Sequence, residues 1–271
     1  MKQLLLITIA AVVLVGCGPS VPDITIHKAA EYGNIYDVKQ HLKAGTDVNK
    51  KNWEGKTPLD FSAARYPRTS KINQLLRERG GIHSSIHMAV QGDDIQAVKK
   101  FLDDGADVNV KDEESWWTPL HYTRSKEVAE LLISKGANVN AKSGAGDLPL
   151  DWVSESEVRD IIRKKGGKYS SFTSACNSGD LDAVKEFLDA GENVNTKNDE
   201  GRTILDHIED IISRNDYSIE RIENIKFPLE KQHLEVESKR IFKRSARLRL
   251  MSDLLRKHGA KTSEELKAEE K

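Results

Sequence analysis

The sequence predicts an all-α fold, a solenoid of about seven helix-turn-helix repeats joined by β-hairpin-like loops. Two recurring patterns carry that prediction. The first is Ile35-x-x-Val38-x-x-x-Leu42-x-x-Gly45-x-x-Val48-Asn49, which returns without gaps from Ile95 to Asn109 and from Leu181 to Asn195. Apolar residues spaced three and then four apart share one face of a helix, and a Gly three residues past the last Leu supplies a left-handed C-cap. The second is Thr57-Pro58-Leu59-Asp60, which returns as Thr118-Pro119-Leu120-His121, Leu148-Pro149-Leu150-Asp151 and Thr203-Ile204-Leu205-Asp206. Thr is a good N-cap, and Pro at the next position has a preset φ and lacks only an N–H that a helix start leaves unpaired. The His or Asp after the Leu is a short group able to hydrogen-bond a neighbouring turn.

Helix pairs follow in chain order. The first, 26–44, opens on Ile26-His27-Lys28-Ala29-Ala30, and the third, 86–104, on the similar Ile86-His87-Met88-Ala89. The second, 58–79, starts at Thr57-Pro58 and closes on Ile72-x-x-Leu75-Leu76-Arg77-x-x-Gly80. The fourth, 119–135, ends in Gly136 and Val139-Asn140, while the fifth, 149–165, closes on Val158-x-x-Ile161-Ile162-Arg163-x-x-Gly166. The sixth, 172–190, has a degenerate start at Phe172-Thr173-Ser174-Ala175. The seventh, 204–258, closes on Met251-x-x-Leu254-Leu255-Arg256-x-x-Gly259. None of the three Arg-bearing helices leads to Val-Asn. Gly80-Gly81-x-x-Ser84-Ser85 and Gly166-Gly167-x-x-Ser170-Ser171 follow the first two instead. The array therefore divides into modules 25–81, 82–167 and 168–262, and the hairpin loop should be missing or stunted at 80–85 and 166–171.

Residues 213–245 interrupt the last repeat. Ile219, Ile222 and Ile225 keep helical spacing, Pro228 breaks it, and the segment continues through Leu234, Val236, Ile241 and Phe242. Its end is basic, with Lys239, Arg240, Lys243, Arg244, Arg247 and Arg249. The bland reading is an extended helical hairpin with a solvated charged face. The alternative is a structural envelope component that contacts anionic lipid or wall polymer through 239–249, each cation contributing about 1 kcal/mol beside an anionic membrane. Residues 263–271 form a charged tail. Over the whole chain 42 basic against 43 acidic residues leave a net charge of −1, which argues against a nucleic-acid partner.

The N-terminus is an address. Leu4 to Val15 is almost wholly apolar after Met1-Lys2, too short to span a bilayer, which takes about 20 residues, yet suited to the apolar stretch of a signal peptide. Leu14-Val15-Gly16-Cys17 resembles the bacterial lipobox, which implies cleavage after residue 16 and diacylglycerol on Cys17. Residues 17–24 would then be a lipidated spacer that holds the chain in the bacterial cell envelope. Gly18, rather than Asp, after the Cys favours the outer membrane by analogy with enteric bacteria.

The helix-pair unit itself resembles the ankyrin repeat, and Thr118 to His121 match that family's most specific tetrapeptide. The resemblance covers residues 25–262. It implies a monomeric, non-catalytic scaffold that binds another protein through the loop tips and the outer edge of each first helix. The matching positions are Trp53, Glu54, Lys56, Glu114, Ser115, Trp117, Asp199, Glu200 and Arg202, with Glu31, Tyr32 and Arg65 on the helices. Trp53 ranks first and Trp117 second, because Trp is enriched at interface hot spots. Phe61, Tyr122 and Trp152 share the position after the His/Asp slot and read as packing residues between repeats.

Other chemistry finds little support. His83 and His87 sit four apart without a nearby third ligand, so neither a metal nor another cofactor is expected. Cys176 aligns with Ala30 and Val90 and reads as a packed core thiol. No nucleophile elbow, Walker loop or dinucleotide fingerprint occurs, and no enzyme activity is expected.

Overall fold

The computed structural model describes residues 21–65, 70–223 and 228–270. The signal peptide, Cys17 and the start of the spacer lie outside them. The helices fall where the periodicity places them. They are α1 (Ile26–Glu31), α2 (Ile35–Lys43), α3 (Pro58–Arg65), α4 (Lys71–Glu78), α5 (Ile86–Gln91) and α6 (Ile95–Asp103). A 3-10 turn (Pro119–Tyr122) precedes α7 (Lys126–Ser134), α8 (Pro149–Trp152), α9 (Ser156–Lys164), α10 (Phe172–Ser178) and α11 (Leu181–Asp189). Last come α12 (Ile204–Glu223), α13 (Pro228–Lys257) and α14 (Ser263–Glu269). The described residues form two compact units that divide between residues 106 and 107.

Within each unit the first helices pack on one another in chain order. In unit 1, α1 lies against α3 and α3 against α5. In unit 2 the 3-10 turn lies against α8, α8 against α10, and α10 against α12. Small side chains permit that approach: Ala29, Ala30, Ala89, Val90, Ala175 and Cys176 are all buried. The unit 1 core adds Val38, Leu59, Ile72 and Leu76. Leu120, Leu132, Leu150, Ile162 and Leu205 hold the equivalent places in unit 2. The first helices of the fourth and fifth repeats shrink to a single turn. These repeats have two residues fewer between the helix start and the closing Gly than the third, so Ser125 and Glu155 begin α7 and α9 almost at once.

Two side-chain devices repeat along the stack. The slot after the Leu caps its own helix: Thr57, Leu148 and Thr203 donate their backbone N–H to Asp60, Asp151 and Asp206, and Thr118 donates to His121 Nδ1 at 3.1 Å. The Asn of Val-Asn reaches the next repeat. Asn49 Nδ2 donates to the Gly80 carbonyl and its Oδ1 accepts from Ile82 N–H. Asn109 bridges Gly136 and Asn138 in the same way, Asn140 bridges Gly166 and Lys168, and Asn195 bridges Gly259 and Lys261. Each clamp needs the chain to reverse sharply, and the closing glycines, from Gly45 to Gly259, take φ between +82° and +94°, which a side chain would strain.

The loops depart from the hairpin expectation. Among the described residues the only strand-like pairing is one isolated bridge between Lys197 and Thr203. Each tip is closed by a backbone bond (Asn52 to Lys56, Asp112 to Trp117, Ser143 to Asp147, Asn198 to Arg202) and by a short polar side chain that accepts the tip amides. Asn52 Oδ1 takes the N–H groups of Glu54 and Lys56, and Asn198 Oδ1 those of Glu200 and Arg202. Side chains thus hold the donors that a longer ladder would use. No such tip occurs at 80–85 or 166–171, as the double-glycine signature predicts. There Asp60 and Asp151 accept from Ser84 N–H and Ser170 N–H.

The insertion is the expected helical hairpin, with α12 packed along α13. Within the charged tail, Thr262 and Glu265 form a reciprocal cap at the start of α14. Asp206 accepts from Ser263 N–H, and Arg256 pairs with both Glu209 and Glu265.

Candidate functional site

The candidate surface is built on the loop tips. In unit 1 the tip Trp53-Glu54-Gly55 turns on Gly55 (φ +75°), with Asn52 holding its amides. That turn points Trp53 outward, and the residue is 90% exposed. Glu54 is exposed and its carboxylate lies 3.4 Å from Lys56 Nζ, an exposed pair worth well under 1 kcal/mol. Tyr32, at the end of α1, is exposed, Glu31 is half-buried, and the Arg65 side chain lies outside the described residues.

In unit 2 the tips of the third and fourth repeats touch. Gly144 N–H donates to the Ser115 carbonyl at 2.9 Å, and Lys111 Nζ donates to the Lys142 carbonyl at 2.9 Å. Glu114 and Ser115 are exposed. Trp117 is half-buried: its ring stacks on His121 (5.7 Å between centroids, 19°) and packs on Tyr122 at 5.0 Å and Trp152 at 4.5 Å. The neighbouring Trp116, which the repeat pattern did not bring forward, is the projecting ring of this tip, 58% exposed with Lys111 Nζ 5.2 Å from its centroid. Its φ is +58°. The other tips place Gly55, Gly146 and Gly201 at this position, two residues before the Thr or Leu that starts the next helix, all with positive φ. That alignment is the signal that could have found it. In the last tip Asp199 and Glu200 are exposed, while Arg202 bends back to Asp210 and the Asp206 carbonyl.

Packing explains the rest of the aromatic set. Phe61 meets the edge of His27 at 5.7 Å. Tyr122 donates its hydroxyl to Asp112 at 2.8 Å, and burial together with that carboxylate holds its pKa well above the ordinary value. Burial also depresses the His121 pKa, which keeps the imidazole neutral and able to accept from Thr118. Trp152 covers one face of Trp117 and remains 52% exposed.

Titratable groups elsewhere are structural. His83 and His87 are buried, and His83 Nδ1 pairs with Asp60 at 2.8 Å while its Nε2 lies 3.6 Å from Asp94. Asp94 is also the N-cap of α6 and accepts from Arg77 Nε at 2.7 Å. Cys176 is fully buried and burial pushes its thiol up to about 12, far from a reactive thiolate. Among the described residues no three His, Cys, Asp or Glu side chains are grouped to hold a metal ion, and no helix is long and apolar enough to cross a membrane.

Parts of this chain are similar in sequence to known proteins. Residues 86–168 match the family model described as ankyrin repeats (3 copies). Human protein phosphatase 1 regulatory subunit 27 is 36% identical over 101 residues, covering 36% of this chain and 64% of that protein. Human ankyrin repeat domain-containing protein 40 is 30% identical over 94 residues, 34% of this chain and 25% of that one. Mouse ankyrin repeat and SOCS box protein 6 is 25% identical over 189 residues, 65% of this chain and 40% of that one. The chain spans less than two thirds of the length of each of these relatives. It carries ankyrin repeats, its fold is all-α, and such repeats imply a protein–protein interaction role.

Proposed function

We propose that this protein is a non-catalytic, monomeric scaffold that captures another protein through its loop tips and is held in the bacterial cell envelope by a lipid on Cys17. One observation carries the binding reading: Trp53 presents 90% of its surface to solvent on a turn that nothing in the fold requires to be aromatic. A second tip repeats the feature with Trp116. Large exposed rings on preorganised turns are what interface hot spots are made from. The lipid reading rests on Leu14-Val15-Gly16-Cys17. Two acyl chains hold stably at about 0.8 kcal/mol per buried methylene, where one holds only marginally.

A photo-crosslinking amino acid at position 53 tests the first half in intact cells, with the exposed Lys99 of α6 as the control site. A discrete crosslinked protein from position 53 and none from position 99 supports the reading, and equal labelling from both sites overturns it. For the anchor, Cys17→Ser should move the protein from the membrane fraction to the soluble fraction, whereas unchanged membrane partition contradicts the lipid.

A further inference from the structure

The inserted hairpin encloses a groove that the loop tips do not line. Its volume is about 740 Å³, and its walls are the end of α8, the turn into α9, the second half of α10 and one face of α13. The face is set by sequence. Arg240, Lys243, Arg244 and Arg247 are spaced at three, four and seven residues, so one side of α13 presents four cations. No carboxylate stands three or four residues from Lys243, Arg244 or Arg247, and none of these three forms an ion pair among the described residues. Like charges at that spacing repel by roughly 0.2–0.5 kcal/mol per pair, so Lys243, Arg244 and Arg247 cost the helix stability and gain no ion pair in return.

The groove is held open by fixed walls. Arg159 is 6% exposed and donates from Nη1 to the Ser178 carbonyl at 2.6 Å, tying α9 to the end of α10. Arg240 reaches Glu155 at 3.4 Å, joining α13 to the start of α9. The other acidic wall residue, Asp151, accepts from Leu148 N–H and Ser170 N–H and makes no ion pair with α13 among the described residues. Asn215, from α12, lines the groove, and its side-chain nitrogen is buried without a hydrogen-bond partner. Trp152 adds an exposed ring to the wall.

We propose that this groove docks a short acidic peptide segment, rich in Asp and Glu with an apolar side chain beside it, from a protein partner. The inference rests on the reading of the chain as a protein-binding scaffold. Planar guanidinium groups match carboxylates, and the Glu155 carboxylate on Arg240 already shows that pairing at the groove wall. Trp152, exposed at the groove wall, suits the apolar side chain.

The test is a fluorescence anisotropy titration of the full chain with a labelled Glu/Asp-rich peptide carrying one central leucine. The same peptide with Gln and Asn replacing its acids is the control, and phosphatidylglycerol vesicles are the competitor. The acidic peptide should bind and the neutral one should not. Lys243→Gln with Arg244→Gln, both at exposed positions, should weaken binding about tenfold or more with the melting temperature unchanged or raised, because like-charge repulsion along α13 is relieved. Lys243→Gln alone should show a smaller loss. Equal binding of the neutral peptide, unchanged binding by the double variant, or vesicle binding without peptide binding overturns the proposal. Trp53→Ala should leave this titration unaltered. If the groove fails while position 53 still crosslinks a partner, this inference alone falls; the converse result removes the tip reading and leaves the groove.

Discussion

At the scale of single residues, adjacent tryptophans separate two kinds of stabilisation. Trp116 carries its ring outward from a left-handed backbone, a conformation that costs a non-Gly residue about 1–2 kcal/mol. Its ring recovers part of that from Lys111, about 0.5–1 kcal/mol for an exposed cation–π contact. Trp116→Gly should therefore shift stability by less than about 1 kcal/mol in denaturant unfolding. Trp117→Ala removes a ring packed on His121, Tyr122 and Trp152, and should cost about 2 kcal/mol or more. Equal costs for the two would show that Trp116 is a packing residue. His83 gives a pH signature in unit 1. Burial works against its charged form, but Asp60 and Asp94 outweigh burial and raise its pKa above the ordinary value. Burial likewise opposes charge on Asp60 and Asp94, while His83, backbone N–H groups and, for Asp94, Arg77 lower both pKa values. A raised His pKa contributes stability that is complete below the unfolded value of about 6.5 and fades as pH climbs through the folded one. The lowered Asp values contribute above about 4 and fade as acid passes their folded pKa. Amide exchange protection in α3 and α5 should therefore peak between these limits, and His83→Gln should flatten the alkaline fall. An unchanged alkaline fall in that variant contradicts the assignment.

At the scale of elements, the stack is joined by repeated polar clamps as much as by apolar contact. Each Val-Asn side chain makes two hydrogen bonds to the next repeat, and losing both leaves a carbonyl and an amide to find other partners. Asn140→Ala should cost about 1–3 kcal/mol, measured by urea unfolding of the full chain; a loss under a few tenths would show that the clamp is incidental. Arg77 and Arg163 use a second device. Arg77 reaches Asp94 and Arg163 reaches Asp180, the N-caps of α6 and α11, across the connections that have no tip. Helix spans, closing glycines and the capping His or Asp were all legible, because spacing of three and four, left-handed φ and a helix start each restrict residue choice locally. The Asn clamps were visible as a repeated Val-Asn, but their partners lie about one repeat further on, and nothing local names them. The side-chain closure of the tips escaped for a different reason. Asn52, Asp112, Ser143 and Asn198 are of three types and look like ordinary turn residues until the tip amides that donate to them are placed.

At the scale of the whole molecule, each pair of helices is too small to bury its own apolar face and is stabilised by its neighbours, so stability is a sum over adjacent contacts. Such a stack tolerates the degenerate starts at Leu148 and Phe172, and it accepts the insertion of α12 and α13 into its last repeat. Trp53 stands exposed at its tip, whereas Trp117 packs on Tyr122 and Trp152. Trp117 could not be distinguished from Trp116 by sequence, because the tip 112–117 is one residue longer than 52–56 and shifts which ring projects. The most direct test is the dissociation constant of the partner crosslinked at position 53, measured by calorimetry for wild type and Trp53→Ala alongside their melting temperatures. The account predicts an affinity loss of more than about 1 kcal/mol, fivefold or greater, with melting unchanged. Unchanged affinity, or a large drop in melting temperature, would contradict it.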